Sequence, residues 1–475
     1  MDWCEKIADR LNISQHNNLI IKDTIGILSD RKFIDYLNHQ GFSAYYIEKL
    51  NELLNRDTGN KIIIIPDNLD LPHYLEDDLI IFDTNKLPIE IEPALLEKLS
   101  SQKIIKIINY QINKESLEYI TKNNYNTVLD KAENYYYIQQ SMEKEDQIRN
   151  ILQSRIDNYG DILLLGKLWG KYTYLTYLSN KKINHALMHE MDDEVKDAVL
   201  NDKLKDSFYE SISRFKTVDR IQQYIKNQEH DKFALICFDG MGMAEWNLLQ
   251  QFLDQQGIES EYREIFALIP TMTKISRAAI FYNDHEKVYN IKNPNEDKSF
   301  REYFSNYDTS SFREGDITKP DDLLGISAVK IIYNLFDDIA HDTNLPPSEK
   351  SKTLYFKNIE SYLEKSSIFK EIKLLQQNNY HIYFCSDHGS TVATGNGDKV
   401  DKYLIESSSR RGTIVEKSTL LDKIDAYKYN IPFIKDKVVL LAKDRESFTY
   451  KDNIEITHGG ITVDELVIPF GRINT

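Results

Sequence analysis

From the amino terminus to about Ile112, short aliphatic runs alternate with amphipathic stretches. Asn18–Lys22, Ala44–Ile47, Lys61–Ile65, Leu79–Phe82 and Lys103–Ile108 read as strands, because apolar residues crowd into windows of strand length. Asp30–His39 and Pro93–Ser100 read as helices between them. Strands alternating with helices predict a parallel sheet, so residues 1–112 are assigned to a small amino-terminal doubly wound α/β domain. Asp67 and Asp83, each just after a strand, are read as turn residues.

The period then changes. Between Glu115 and Asn227 apolar residues recur at three- and four-residue spacing, which predicts long helices over Ser141–Tyr159, Asp161–Leu178 and Asp193–Tyr224. Residues 113–228 are therefore read as a helical linking region. From Lys232 the alternation returns. Phe233–Phe238, Val329–Leu335, Tyr380–Ser386 and Lys437–Ala442 are short continuous apolar runs, the pattern of buried parallel strands. Asn293–Asp316, Leu345–Pro347, Gly395–Asp401 and Glu406–Gly412 are polar, Pro-marked or Gly/Ser-rich and read as loops. Residues 229–475 form the third domain.

Composition narrows the class. The 475 residues carry 59 Lys+Arg against 75 Asp+Glu, a formal net charge of −16, with 41% apolar and 28% charged residues, a globular balance. With 18 Gly and 11 Pro, collagen-like and low-complexity chains are excluded. Cys4, Cys237 and Cys385 are too few for a disulfide framework or a cysteine-only zinc site and fit a reducing compartment. The longest apolar runs, such as Ile62–Ile65, fall far short of the ~20 residues of a spanning helix. Met1–Asn12 lacks the apolar core of a secretory signal. The expectation is a soluble, cytoplasmic protein with no membrane partner. The acidic balance argues against broad, tight binding to nucleic-acid backbone, which needs a basic footprint.

Three apparent motifs fail on spacing. Gly160–Lys167 has five residues between its glycines where a phosphate-binding loop has four, and Leu168 stands where a metal-binding hydroxyl belongs. Gly240-Met241-Gly242 has Glu245 where a dinucleotide fingerprint needs a third glycine. His185 and His189 lie four apart, but Ala186 occupies the place of a metalloprotease glutamate.

A denser signal lies in the last domain. Asp239 follows the run Phe233–Phe238. Asp337 and Asp338 follow Val329–Leu335, with His341 one helical turn on. Asp387 and His388 follow Tyr380–Ser386, and His458 precedes the final strand pattern. Taken singly, an Asp after a strand is a turn or cap residue. Together, carboxylates and imidazoles delivered to the carboxyl ends of several strands meet the needs of a di-metal centre.

The order Asp239, then Pro270-Thr271-Met272-Thr273-Lys274-Ile275-Ser276-Arg277, then Asp337-x-x-x-His341, then Ser386-Asp387-His388-Gly389, then His458-Gly459-Gly460 resembles the alkaline phosphatase superfamily. More closely it resembles the PglZ domain of BREX-type phage-defence systems, whose motifs read D-G-x, P-T-x-T-x-x-S-R, S-D-H-G and H-G-G before an acidic-apolar strand ending in Pro. The likeness runs from Lys232 to Phe470. It implies an alkaline-phosphatase-like mixed or parallel sheet with flanking helices, two divalent metal ions and a side-chain nucleophile. Carried over position by position, Asp239, Thr273, Asp387 and His388 hold one metal, and Asp337, His341 and His458 the other, with Asp338 the alternative if the register slips. Cys237 and Cys385 lie on the face of Asp239 and Asp387 and are read as core. At the amino terminus, Leu19–Leu28 resembles the opening of longer PglZ proteins. The receiver domain fused to some PglZ domains needs adjacent acids after its first strand, and Lys22-Asp23-Thr24 lacks them.

Thr271 and Thr273 both qualify as nucleophile by type. Related sulfatases place theirs four residues before the motif arginine, which from Arg277 gives Thr273. Thr cannot become the formylglycine of a sulfatase, so that activity is disfavoured. A Thr hydroxyl becomes a useful nucleophile when a divalent ion stabilises its alkoxide, which implies attack on phosphorus and a phosphothreonine intermediate. Mixed Asp/His ligation suits Zn²⁺ or Mn²⁺ better than Mg²⁺. Lys274, Arg277, Arg410 and Arg411 are the candidate substrate cations, with Lys399 and Lys402 nearby. The implied function is a phosphodiesterase or nuclease acting on nucleic acid or oligo- or cyclic nucleotides beside other defence proteins. The alternatives are a phosphomonoesterase and a non-catalytic scaffold. The charge of −16 predicts that the isolated chain binds duplex DNA weakly, with a shallow slope of log K against log salt. Fluorescence anisotropy over a salt series checks this, and tight, steeply salt-dependent binding contradicts it.

Overall fold

The computed structural model describes residues 2–474 apart from 50–59, 74–78, 97, 114–117, 157, 201–215, 347–350, 399–404, 418–423 and 432–433, and for 405–408 it describes the backbone alone. The sequence readings at Lys399, Lys402, Pro347 and 201–215 lie outside the described residues. The chain divides into two compact units, Met1–Gln140 and Ser141–Thr475, with the boundary inside the helix Tyr125–Ser154.

The first unit is a parallel four-stranded sheet of β1 (Asn18–Asp23), β2 (Ser43–Tyr46), β3 (Lys61–Pro66) and β4 (Leu79–Phe82), in the order β2-β3-β1-β4. Helices Trp3–Arg10 and Arg31–His39 begin at Asp2 and Asp30, whose side chains accept the backbone N–H of Cys4 and Lys32, as N-caps do. Asp83 caps the short helix Thr84–Lys86. Lys103–Ile108 is a correction: it lies in the helix Ser101–Ile112, with Ile104, Ile105, Ile107, Ile108 and Gln111 buried. The isoleucines that suggest a strand also fall at the spacing of one helix face, and burial of that face overrides β propensity.

The second unit centres on a six-stranded sheet of β5 (Phe233–Phe238), β6 (Ser260–Phe266), β7 (Thr309–Arg313), β8 (Ala328–Tyr333), β9 (His381–Ser386) and β17 (Val467–Ile473), in the order β6-β17-β9-β5-β8-β7. β17 runs antiparallel to its neighbours β6 and β9, and the other pairs are parallel. Every residue of β5 is buried, which explains its unbroken apolar run. A three-stranded sheet joins β10 (Thr391–Gly395), β15 (Glu446–Ser447) and β16 (Ile454–Thr457). A four-stranded antiparallel sheet joins β11 (Ile405–Ser408), β12 (Gly412–Glu416), β13 (Tyr427–Tyr429) and β14 (Lys437–Leu441).

Two loop readings and one strand reading are corrected. Asn293–Asp316 contains the helix Glu296–Tyr303, capped by Asn295, and strand β7. Its helix buries a single residue, Phe300, so its sequence is nearly all polar. Glu406–Gly412 carries most of β11, and Lys437–Ala442 pairs antiparallel in a sheet of its own rather than joining the parallel one. An apolar run says a strand is buried, not which neighbour it takes.

The helices Tyr159–Leu178 and His185–Leu200 share one apolar core with the six-stranded sheet. Gly166, part of the failed phosphate-loop motif, and Gly170, four residues on, have a packing role. A Cβ at Gly170 would lie 2.4 Å from Met243 Cβ and 2.7 Å from its carbonyl carbon, and one at Gly166 would lie 2.4 Å from Val467 Cβ. Gly170→Ala gains about 1 kcal/mol of helix propensity but overpacks backbone, at about 1–3 kcal/mol. Net destabilisation is therefore expected, read as a lower urea midpoint at unchanged slope.

Candidate metal centre

The carboxyl ends of β5, β8 and β9 converge. Asp239 follows β5, and Gly240 turns the chain with φ +79°. A side chain at Gly240 would press on Asp337, 3.2 Å from both its Cβ and its backbone N. Asp337 sits in the first turn of the helix Leu335–Asp342 and His341 in the last. Asp387 and His388 leave β9, and His458 leaves β16. Donor atoms of Asp239, Asp387 and His388 lie within 4.8 Å of one another, as do those of Asp337, His341 and His458. The clusters abut, because the rings of His388 and His458 stack at 3.9 Å with 11° between their planes.

Backbone carbonyls fix both rings. His388 Nδ1 lies 3.1 Å from Gly389 O and His458 Nδ1 lies 2.9 Å from Thr271 O. A carbonyl only accepts, so each Nδ1 carries the proton and each Nε2 presents a lone pair to its cluster. His388 Nε2 is 3.5 Å from Asp239 Oδ1, 3.7 Å from Asp387 Oδ2 and 2.8 Å from Thr273 Oγ1. Asp337 faces His341 Nε2 at 3.3 Å and His458 Nε2 at 3.7 Å.

The donor set fits divalent ions. Asp239 and Asp387 are 5% and 0% exposed, yet Asp239 Oδ1 and Asp387 Oδ2 have no hydrogen-bond partner. Such orphaned oxygens are costly unless a cation or proton meets them. Burial, and then the neighbouring Asp239, push the Asp387 carboxyl well above its usual range, against the opposing charge of Arg277, the response of a carboxylate buried beside another. Burial also raises Asp337, but the His341 hydrogen bond and the nearby His458 and His388 outweigh it and hold Asp337 well below its usual range. Burial, and then the neighbouring His388, push His458 down to about 4, which keeps it neutral, as a metal ligand must be.

The two threonines separate cleanly. Thr271 is fully buried, its hydroxyl donating to Gly460 O at 2.9 Å and accepting from Gly459 N at 3.1 Å. Thr273, the first residue of the helix Thr273–Tyr282, turns its hydroxyl to His388.

The candidate substrate cations fall in different places. Arg277 Nη1 donates to Asp239 Oδ2 at 2.5 Å and Nε to Glu296 Oε1 at 3.1 Å, so it grips a cluster carboxylate. Arg411 is fully buried and donates to Glu465 Oε1, Asp444 O and Glu446 O, which corrects its reading as a substrate contact: its donors are spent on the fold. Arg410 pairs with Glu455 but keeps 46% of its side chain exposed. Lys274 is half-buried in the first turn of its helix and makes no ion pair among the described residues. Asp338 forms part of neither cluster. Glu296 escaped sequence reading because its segment is polar and Pro-marked; the only available signal was Asn295 ahead of an acidic turn, a helix start.

Residues 217–299 match the family model described as the BREX system PglZ alkaline phosphatase-like domain. That span holds Asp239, Thr273 and Arg277, whereas Asp337, His341, Asp387, His388 and His458 lie beyond it. The match supports a hydrolase of phosphoesterase type. Among solved structures the chain is similar to murine ectonucleotide pyrophosphatase/phosphodiesterase 5, an inactive form in complex with AMP, at 11% identity over 51% of this chain and 88% of that one, with a TM-score of 0.34. The human counterpart gives 13% identity over 50% and 87%, with a TM-score of 0.34. Phosphonoacetate hydrolase from Sinorhizobium meliloti, in complex with phosphonoformate, gives 11% over 51% and 89%, also with a TM-score of 0.34. No curated protein sequence matches the chain.

His458 also sets a pH dependence. Its folded value lies below the ordinary 6.5, so between about pH 6.5 and 4 the unfolded chain binds the extra proton and stability falls as pH falls. In EDTA, urea midpoints of His458→Asn are expected to decline less steeply than wild type across that window.

Proposed function

We propose that the chain is a metal-dependent phosphohydrolase that cleaves phosphodiesters, in nucleic acid or in oligo- or cyclic nucleotides, and that it serves anti-phage defence in the cytoplasm beside other proteins of a PglZ-type system. One observation carries the reading: the Thr273 hydroxyl lies 2.8 Å from His388 Nε2, at the edge of two abutting acid–imidazole clusters. In this reading Asp239, Thr273, Asp387 and His388 hold one divalent ion, and Asp337, His341 and His458 the other. Zn²⁺ or Mn²⁺, which suit mixed oxygen and imidazole donors, would supply positive charge that favours an alkoxide and offsets charge on phosphate oxygens.

Thr273 is the nucleophile. As the first residue of a ten-residue helix, it stands at the positive end of the helix dipole, which favours negative charge there. Its oxygen attacks phosphorus, the bond to the leaving oxygen breaks, and water then hydrolyses the phosphothreonine. Arg277 acts through Asp239, holding one carboxylate oxygen so that the other faces the cluster. Lys274 and the exposed part of Arg410 are the cations left for phosphate oxygens.

With Zn²⁺ or Mn²⁺ the protein is expected to hydrolyse bis(p-nitrophenyl) phosphate faster than p-nitrophenyl phosphate, and EDTA to stop both. Thr273→Ala is expected to lose more than about 10²-fold in rate with its fold intact. A variant that keeps its full rate overturns the threonine nucleophile. No turnover of either ester by metal-loaded protein overturns the hydrolase reading in favour of a scaffold.

A further inference from the structure

Two adjoining cavities lie in the second unit, and none of the cluster residues lines either. One, of about 620 Å³, opens between the end of the helix Tyr159–Leu178 and the starts of His185–Leu200 and Thr353–Leu363. Lys181, Lys182, Lys352 and His185 line it, with Thr176 and Ser351. No carboxylate is among its lining residues, in a chain of net charge −16. Lys181 and Lys182 make no ion pair among the described residues, and two helix amino termini of 16 and 11 residues open on the same space, which adds positive potential.

The second cavity, of about 500 Å³, shares Thr173, Ile183, His185, Ser351 and Lys352 with the first. Its character differs. Trp169, Met188 and Val392 line it, with Thr394 and His189. Its acids are engaged: Asp464 by Trp169 Nε1 and Arg445, Asp444 by the Tyr427 hydroxyl, and Glu446 by Asn396. Arg445 also lines it, but its guanidinium is taken up by Asp192 and Asp464, so this end suits a flat aromatic body with polar edges better than a phosphate. Both volumes lie in the range of small-molecule sites.

We propose that the joined cavities bind a nucleotide, with its phosphates toward Lys181 and Lys182 and its base toward Trp169 and Met188. The division of charge sets that polarity: Lys181, Lys182 and two helix amino termini at one end, where Lys352 is already paired with Glu245, and apolar and aromatic groups beside the carboxylates of Asp444 and Glu446 at the other. His185 and His189, one helical turn apart, face this ligand rather than a zinc ion. The site also touches the segment after Asp387 and His388, since Lys352 Nζ donates to Ser390 O at 2.5 Å and Arg445 Nη1 to Thr391 Oγ1 at 2.6 Å.

Titration calorimetry of the full chain in EDTA, with ATP as probe, tests the binding without any hydrolysis. One ATP site is expected, weakened about tenfold or more in Lys181→Ala/Lys182→Ala, whose changes are confined to the mouth of the cavity, and retained in Asp337→Asn. Tripolyphosphate is expected to bind about tenfold more weakly than ATP. Unchanged affinity in the double variant, or loss of binding in folded Asp337→Asn, overturns the site. Tripolyphosphate binding as tightly as ATP overturns the nucleotide assignment.

Discussion

The second unit is organised around an unfavourable contact. Asp239 and Asp387 bring two carboxylates together where solvent barely reaches, and each keeps one oxygen without a partner. Like charges at low dielectric oppose one another strongly, so the surroundings must hold them in place. Arg277 takes the second oxygen of Asp239, and the backbone N–H groups of Gly240 and His388 take Oδ1 of Asp387. Ser386, one residue before Asp387, shares its one hydroxyl proton between Phe238 O and His388 O and accepts from Met241 N, stitching the ends of β5 and β9 together. The fold supplies the rigidity that leaves two oxygens aimed at one point.

Much of this was legible from residue types and order. The strands that lead to Asp239, Asp337, Asp387 and His388 are apolar runs, and the acid or imidazole after each run is the position a parallel sheet brings to one edge. What residue type alone left open was the choice among like residues, which for the threonines rested on the sulfatase spacing from Arg277. Thr271 and Thr273 differ by two positions and by nothing in chemistry; only the fold shows that Thr271 spends its hydroxyl on the Gly459–Gly460 backbone. Arg410 and Arg411 are adjacent, yet one is half in solvent and the other is sealed against Glu465. A motif read as a string records type and spacing, whereas burial is settled by contacts far along the chain.

The amino-terminal unit shows the opposite limit. Ser101–Ile112 is rich in isoleucine, and local preference for strand was real; the buried helix face decided otherwise. Likewise Asn293–Asp316 looked structureless because its helix buries one phenylalanine and otherwise faces water, and that helix supplies Glu296, the acid that steadies Arg277. Polar composition hides short amphipathic helices, and here one of them supports the site from outside any motif.

The stacked imidazoles have a mechanical consequence. Each ring is tethered at Nδ1 to a carbonyl on a different segment, Gly389 O for His388 and Thr271 O for His458, and the faces touch at 3.9 Å. Neither ring can swivel without pushing the other or breaking its tether. The two halves of the centre thus form one stiff hinge plate, and a displacement at one half is transmitted to the other.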